Sequence, residues 1–306
     1  MIYDIVIVGG GPGGMSAAIY AARAGLNAIL LEKAYVGGQM TQAHQIDNYP
    51  GEDGIDGFSL AEKMRQGALN QGVKIEYVNV QNLRLNDNPK VVETSSGEYL
   101  GKCVIYAAGA EPRKLGIDGE KEMTGKGISY CAACDGMFFR GKTVVVVGGG
   151  DTAVCDAILL ARVAEKVIIV HRRDSLRAAK SYREQLEAMP NVEFVWNSTV
   201  SELLYEDRIT GIKVKNIQTE EISEITCDGV FVSIGRIPQT ELVKGQIDLT
   251  DTGYIIADET TRTNIAGVYA VGDVREKELR QIITAAADGA IAVHFAEESI
   301  SVSFSE

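Results

Sequence analysis

The fold predicted by the sequence is α/β, with two Rossmann-like domains. First, a strand, a glycine turn, a helix and a second strand follow one another twice: Ile5–Val8 into Gly9-x-Gly11-x-x-Gly14, and Thr143–Val147 into Gly148-x-Gly150-x-x-Ala153. Second, the two runs match at one constant offset, Gly9 with Gly148, Gly11 with Gly150, Gly14 with Ala153, and Glu32 with His171. Third, a buried strand ending in glycine also recurs, Val104–Gly109 and Val230–Gly235. A repeat of this length implies two βαβ dinucleotide units in one chain.

In the first unit the alternating run 2–8 is a strand, Met15 to Ala24 a helix closed by Gly25, and Ala28-Ile29-Leu30-Leu31 a second strand ending at Glu32. The glycines allow a tight turn and let a pyrophosphate approach backbone N–H groups at the helix start. A carboxylate at Glu32 is placed to take ribose hydroxyls. Gly37–Thr41 and Asp47–Gly51 read as loops, and Phe58 to Asn70 as a helix with Leu60, Met64 and Ala68 on one side. Short strands are predicted around 73–78, 83–85 and 91–93, then a turn at Ser95–Glu98 and a buried strand into Gly109. The polar, glycine-rich stretch Gly116 to Gly127 reads as a crossing between domains, with a second at Gly235–Thr240.

In the second unit a helix from about Thr152 to Val163 and a strand at Val167–Val170 lead to His171-Arg172-Arg173. No acid follows this strand; Arg172, Arg173 and Arg177 gather instead. Guanidinium groups bind phosphate in a forked geometry, whereas Glu32 would repel a ribose phosphate. The first turn therefore suits an ADP moiety, as in FAD or NAD, and the second suits NADPH. A helix (Tyr182 to Met189), strands and hairpins follow, then a strand ending at Gly272-Asp273 and a last helix from Arg280 to about Glu298.

Between the fingerprints lies Tyr130-Cys131-Ala132-Ala133-Cys134-Asp135-Gly136. Two cysteines three apart can close a small disulfide ring, bind a metal or simply pack. Cys103, Cys155 and Cys227 are scattered, the histidines are His44, His171 and His294, and no second Cys or His pair stands at zinc-ligand spacing. The redox reading is favoured because Asp135 is placed to give and take the proton of thiol–disulfide exchange. Cys155 is expected to pack as a small hydrophobe.

Composition narrows the classes. Lys+Arg 30 against Asp+Glu 42 leaves a net charge of −12, which argues against a general nucleic-acid or anionic-membrane surface. No targeting segment or membrane-length apolar run is visible. Five cysteines are too few and too scattered for a secreted disulfide framework, so a reducing cytoplasm is expected.

With these motifs in this order, the sequence resembles the bacterial low-molecular-weight thioredoxin reductases from Tyr3 to about Ala296. The resemblance rests on Gly9–Gly14, Gly38-Gln39, Asn48-Tyr49-Pro50-Gly51, Cys131–Asp135, Gly148–Ala153, His171-Arg172-Arg173 with Arg177, Gly272-Asp273 and Arg280-Gln281. A CxxCD between two fingerprints together with HRRxxxR is its specific part. The resemblance implies a homodimer whose FAD-binding domain is discontinuous, 1–115 and 239–306, with an NADPH-binding domain, 116–238, inserted and carrying the redox cysteines. It implies FAD held by Gly9, Gly11, Pro12, Gly13, Gly14, Glu32, Lys33, Gly38, Gln39, Asn48, Gly272, Asp273, Arg280, Gln281 and Ile282. NADPH would be held by Gly148, Gly150, Asp151, Thr152, Ala153, His171, Arg172, Arg173 and Arg177. Cys131, Cys134 and Asp135 would carry the catalysis, with no metal and with thioredoxin as partner. A rotation of the NADPH domain about crossings near 113–118 and 236–241 is implied as well.

The ends of the chain give no sign of a second redox tail or a preceding thioredoxin-like domain, so the high-molecular-weight reductases are not expected. Gly148–Ala153 with the three arginines argues against a ferredoxin-dependent relative. Another disulfide acceptor (a glutaredoxin-like protein or a low-molecular-weight disulfide) and a redox sensor without turnover remain as alternatives.

Overall fold

A computed structural model describes residues 1–43 and 45–302 of the chain. It divides into two compact units, one formed by Met1–Glu111 and the segment from Ile237 onward, the other by Pro112–Arg236. The elements run β1 (Ile2–Val8), α1 (Pro12–Arg23), β2 (Ala28–Glu32), α2 (Gly57–Asn70), β3 (Lys74–Tyr77), β4 (Val80–Arg84), β5 (Lys90–Thr94), β6 (Gly97–Tyr106) and β7 (Ala110–Pro112). Next come α3 (Glu120–Met123), β8 (Ile128–Ser129), α4 (Ala132–Asp135), β9 (Thr143–Val147), α5 (Asp151–Ala161), β10 (Lys166–Val170), α6 (Lys180–Glu187) and β11 (Val192–Val195). The chain continues with β12 (Ser198–Tyr205), β13 (Ile209–Asn216), β14 (Ile222–Thr226), β15 (Gly229–Val232), β16 (Arg236–Pro238), β17 (Val268–Ala270) and α7 (Ile282–Val302).

The first unit is built on a sheet ordered β3-β2-β1-β6-β5-β4, with β17 also paired to β6. Its parallel part explains the uninterrupted apolar run of β1. Ile5 and Ile7 pack with Met15, Ala18 and Ala21 of α1, whereas Val6 and Val8 pack with Tyr106, Val268 and Ile255 on the opposite face. A parallel strand covered on both faces has no polar side to alternate with. Each fully buried Ile or Val here contributes roughly 1.5–3 kcal/mol. Strand β6 is longer than its apolar half predicts. Residues 97–101 pair antiparallel with β5, while the run from Leu100 to Tyr106 pairs parallel with β1. The polar half, Gly97-Glu98-Tyr99, carried no strand signal because hairpin pairing, not burial, fixes it.

Helices α1 and α7 meet along small residues. A β-carbon at Gly289 would overlap the Gly13 carbonyl oxygen and lie 2.8 Å from the Ala17 nitrogen. The Ser16 hydroxyl donates to the Ala286 carbonyl at 2.6 Å. This seam sets the last helix beside the first glycine turn.

The second unit carries the parallel sheet β11-β10-β9-β15-β8 and the antiparallel hairpins β12-β13-β14. Val144 and Val146 face α5 residues Val154 and Ala157; Val145 and Val147 face Ile212 and Val214 of the hairpins.

Three sequence expectations need correction. The stretch Gly116–Gly127 is not a crossing; it lies inside the second unit and holds α3. The chain enters that unit at the short strand β7 instead, and leaves it at β16, with which β7 is paired. Three-residue strands are too brief to show a period-2 signal. Gly38–Gln42 is a 3-10 turn rather than an open loop. Cys155 is exposed, not packed, because it shares the outer face of α5 with Asp151, Thr152 and Leu159.

Candidate active site

The first glycine turn joins β1 to α1. Gly9 holds φ at +104°, and a β-carbon there would lie 2.5 Å from the Ala107 carbonyl oxygen. A β-carbon at Gly14 would overlap the Gly9 carbonyl oxygen, so the helix starts hard against the strand. Before Gly11 the space is open, with no atom within 4 Å of where its β-carbon would stand. Gly11 caps α1 and Pro12 opens it, and no side chain caps its first N–H groups. Those donors and the positive end of the helix face an open cradle, which is the environment a pyrophosphate needs.

Glu32 stands beside the turn. Its carboxylate accepts the Gly10 N–H at 2.7 Å and the Ala34 N–H at 3.1 Å, which orients it and leaves lone pairs for hydroxyl donors. Lys33 is exposed at the end of β2. Gly37 donates to the Gly10 carbonyl at 2.7 Å, and Gly38 passes close to Gly11. Gln39 donates to the Ala110 carbonyl, and Asn48 donates to Gln281 at 3.0 Å. Gly13 approaches both Val271 and Ala285, so Gly272-Asp273 and the Arg280-Gln281-Ile282 start of α7 gather on the same turn. The guanidinium of Arg280 stacks 4.2 Å from the centre of the Tyr254 ring, and its buried Nε has no partner. An orphaned donor next to an open cradle fits a polar ligand.

One supporting group went unread in the sequence. Asp288, 3% exposed, accepts the Gly272 N–H at 2.8 Å and pairs with Arg275 and Lys277, each at 2.8 Å. Burial opposes its ionisation, but the hydrogen bonds from Arg275 and Lys277 outweigh that and hold its carboxyl below the ordinary range. The only hint was an acid within a long apolar helix.

The second turn repeats the first. Gly148 holds φ at +149°, and the space before Gly150 is open within 4 Å. A side chain on Gly149 would run into the imidazole of His171. The segment after β10 folds back over the turn: Arg177 donates its N–H to the Gly149 carbonyl at 2.7 Å, and the Asp151 carboxylate accepts the Ala179 N–H at 2.8 Å. Arg172, Arg173 and Arg177 are exposed around the exposed Asp151 and Thr152 and the buried Ala153. His171 is 5% exposed, and its Nε2 has no partner. Burial, then the charges of Arg177, Arg173 and Arg172, hold it below its ordinary pKa, so it stays neutral at pH 7. Open space, a neutral buried imidazole and three exposed guanidiniums fit a phosphorylated nucleotide.

In the same unit Cys131 and Cys134 form a disulfide, S–S 2.12 Å and Cα–Cα 5.3 Å, across the single turn of α4. Cys131 is half-buried and Cys134 is exposed. The acid follows directly: Asp135 is half-buried and accepts the Ser129 hydroxyl at 2.6 Å. Ser129 and Glu120 were missed. Glu120, 4% exposed, accepts the N–H groups of Leu115 and Gly116 at 2.7 and 2.8 Å and the Tyr130 hydroxyl at 2.7 Å. Neither residue carries a motif: Ser129 stands two residues before Cys131 but nothing in the sequence marks its partner, and Glu120 is tied to this stretch by the fold through Tyr130. Among the described residues, no group of three or more His, Cys, Asp or Glu side chains is placed to hold a metal ion, and no helix is long and apolar enough to cross a membrane.

Two dinucleotide turns and a disulfide in one chain define a flavin- or nicotinamide-linked disulfide oxidoreductase architecture. The chain belongs to the pyridine nucleotide-disulphide oxidoreductase family, which it matches over residues 3–289. It is 45% identical to a thioredoxin reductase of Peptoclostridium acidaminophilum, covering 100% of this chain and 99% of that one. It is 43% identical to the thioredoxin reductase of Bacillus subtilis, over 97% and 96%. Among solved structures it is similar to the thioredoxin reductase of Streptococcus pyogenes, with a TM-score of 0.92 and 43% identity over 98% of this chain and 99% of that one.

Proposed function

We propose that this chain is an NADPH-dependent thioredoxin reductase, with FAD and NADPH as cofactors, acting as a cytoplasmic homodimer. The observation that carries the reading is the Cys131–Cys134 disulfide followed by Asp135, in the unit that also holds the arginine-flanked glycine turn.

The first unit would hold FAD. Gly9, Gly11, Pro12, Gly13 and Gly14 present the helix start to the pyrophosphate, and Glu32 takes ribose hydroxyls beside Lys33. Gly38, Gln39, Asn48, Gly272, Asp273, Arg280, Gln281 and Ile282 complete the cradle. The second unit would hold NADPH. Gly148, Gly150, Asp151, Thr152 and Ala153 form the turn, and His171, Arg172, Arg173 and Arg177 receive the ribose phosphate. When bound, FAD supplies the two-electron chemistry that links a nicotinamide hydride to a disulfide.

The chain's own residues do the rest. Two electrons break the Cys131–Cys134 bond and leave two thiolates, which become a dithiol on taking up two protons. One of the two thiolates attacks a sulfur of the partner's disulfide, and the other then closes on it, restoring Cys131–Cys134 and releasing the partner as a dithiol. Asp135 gives and takes the proton that these steps move.

The test follows NADPH oxidation by the FAD-loaded protein with thioredoxin and a dithiol-reporting dye, with NADH and reduced ferredoxin as parallel donors. Turnover that needs NADPH and thioredoxin together is the expected result. Flavin reduction by NADPH without thioredoxin turnover would overturn the partner assignment and point to another disulfide acceptor. Cys134→Ser is expected to abolish disulfide reduction and leave NADPH-to-flavin transfer intact; surviving thioredoxin reduction would sink the mechanism.

A further inference from the structure

We propose that Ser129 is a positioning residue for Asp135, holding that carboxyl group beside the redox disulfide in both of its protonation states. The inference rests on the disulfide chemistry proposed above and on the geometry of one hydroxyl.

Ser129 ends β8, paired in register with Phe231 of β15, and is 4% exposed. Its position is therefore fixed by the sheet and not by the reacting groups next to it. The Oγ atom meets the Asp135 carboxylate oxygen at 2.6 Å, the Cys131 N–H at 3.1 Å, and the Cys131 carbonyl oxygen at 3.3 Å. A hydroxyl has one proton and two lone pairs. The Cys131 N–H occupies one lone pair in every state. While Asp135 is ionised, the hydroxyl proton goes to the carboxylate, because a charge-assisted bond at 2.6 Å outcompetes a neutral one at 3.3 Å.

Once Asp135 carries a proton, its O–H donates to the second lone pair of Oγ. The hydroxyl proton then turns to the Cys131 carbonyl. Every donor keeps an acceptor on both sides of the proton transfer. An acid that must give a proton to a leaving thiolate and later recover it needs this kind of support, since an unsatisfied buried partner would penalise one of its two states. Cys134 and Asp135 also donate their N–H groups to the Cys131 carbonyl, at 3.3 and 3.1 Å, so the same atom anchors the whole turn.

The reaction that reports on this needs neither cofactor nor protein partner. A dithiothreitol thiolate attacks one sulfur of Cys131–Cys134; the S–S bond breaks, and the departing cysteine thiolate takes the proton held by Asp135. The second dithiothreitol thiol then resolves the mixed disulfide, so the reagent is oxidised and both cysteines are reduced. The opening rate is read on the full chain by trapping new thiols with iodoacetamide, for the wild type, Ser129→Ala, Asp135→Asn and the double variant, with Ser129→Thr as the hydroxyl-retaining control.

Ser129→Ala is expected to slow opening about tenfold, the scale of one hydrogen bond to a charged group. It should slow opening no further in the Asp135→Asn background, and Ser129→Thr should recover most of the rate. Equal losses in both backgrounds, or an unchanged rate in Ser129→Ala, would overturn the proposal. Ser129→Ala that loses its cooperative melt is replaced by Ser129→Thr and Asp135→Asn alone, where a slow Thr variant counts against the proposal. If the wild type opens with dithiothreitol but turns over no thioredoxin, the partner assignment fails while the role of Ser129 stands.

Discussion

At the scale of single residues, the two halves of the chain differ most where their second strands end. Glu32 is negative and holds backbone N–H groups. His171 occupies the matching place, buried and neutral, with three exposed arginines following. A carboxylate and a phosphate repel, whereas a guanidinium fork binds phosphate oxygens in pairs. Replacing Arg172 and Arg173 together by alanine is expected to raise the KM for NADPH by about 10- to 100-fold, the loss of one or two charge-assisted contacts. The KM for NADH should stay within about twofold, since NADH lacks the 2′-phosphate on the adenosine ribose that the guanidiniums would hold. Steady-state kinetics with both donors checks this, and an equal rise for both would remove the phosphate assignment.

At the scale of elements, what holds the first site is the α1–α7 seam and the buried charges at its end. Asp288→Asn would leave Arg275 and Lys277 buried against a neutral amide. A broken buried pair costs about 3–5 kcal/mol, so the denaturant midpoint should fall markedly. The native aspartate also makes stability depend on pH. Its folded pKa lies below the ordinary carboxylate value of the unfolded chain, so its contribution is fully present above that ordinary value and is lost as pH falls through the folded pKa. The variant should lose this acid-limb dependence, which pH-resolved melts would show; an identical acid limb in both proteins would argue against the pair. Gly289→Ala is the steric counterpart. Its methyl group would press on Gly13 and Ala17, and overpacking of this kind costs about 1–3 kcal/mol. Thermal unfolding should therefore shift down, and no shift would mean that the seam yields.

At the scale of the whole molecule, one βαβ plan serves twice: once assembled from both ends of the chain, once from its middle. Each copy carries its own cores on either side of its parallel sheet, Ile5 and Val6 in one, Val144 and Val145 in the other. Each copy therefore has the packing of a domain in its own right. The proposed homodimer is read directly from sedimentation equilibrium at micromolar concentration. Twice the mass of one chain is expected, and a single-chain mass across that range would reject it.

The repeat itself was legible because its signals are local. A glycine turn, a helix start and a charge at a strand end all lie within one unit of sequence, and each has a mechanism that needs those residue types at that spacing. The cysteine pair and its acid were legible for the same reason. The residue pattern placed the first passage between units too late, at Gly116–Gly127, because β7 is defined by pairing with β16 across a long stretch of chain. The outward placement of Cys155 was not legible either, because it depends on the face of α5 that the sheet covers. Ser129, Glu120 and Asp288 belong to the same class. Nothing in the residue pattern around them names the bond each makes: Ser129 lies close to Cys131 and Asp135 in the chain, but the direction of its hydroxyl, like the bonds of Glu120 and Asp288, is set by the folded backbone. Sequence determined which chemistry this protein carries; tertiary structure decided which buried polar groups hold that chemistry in place, because satisfying a buried donor or acceptor is a property of three-dimensional neighbours.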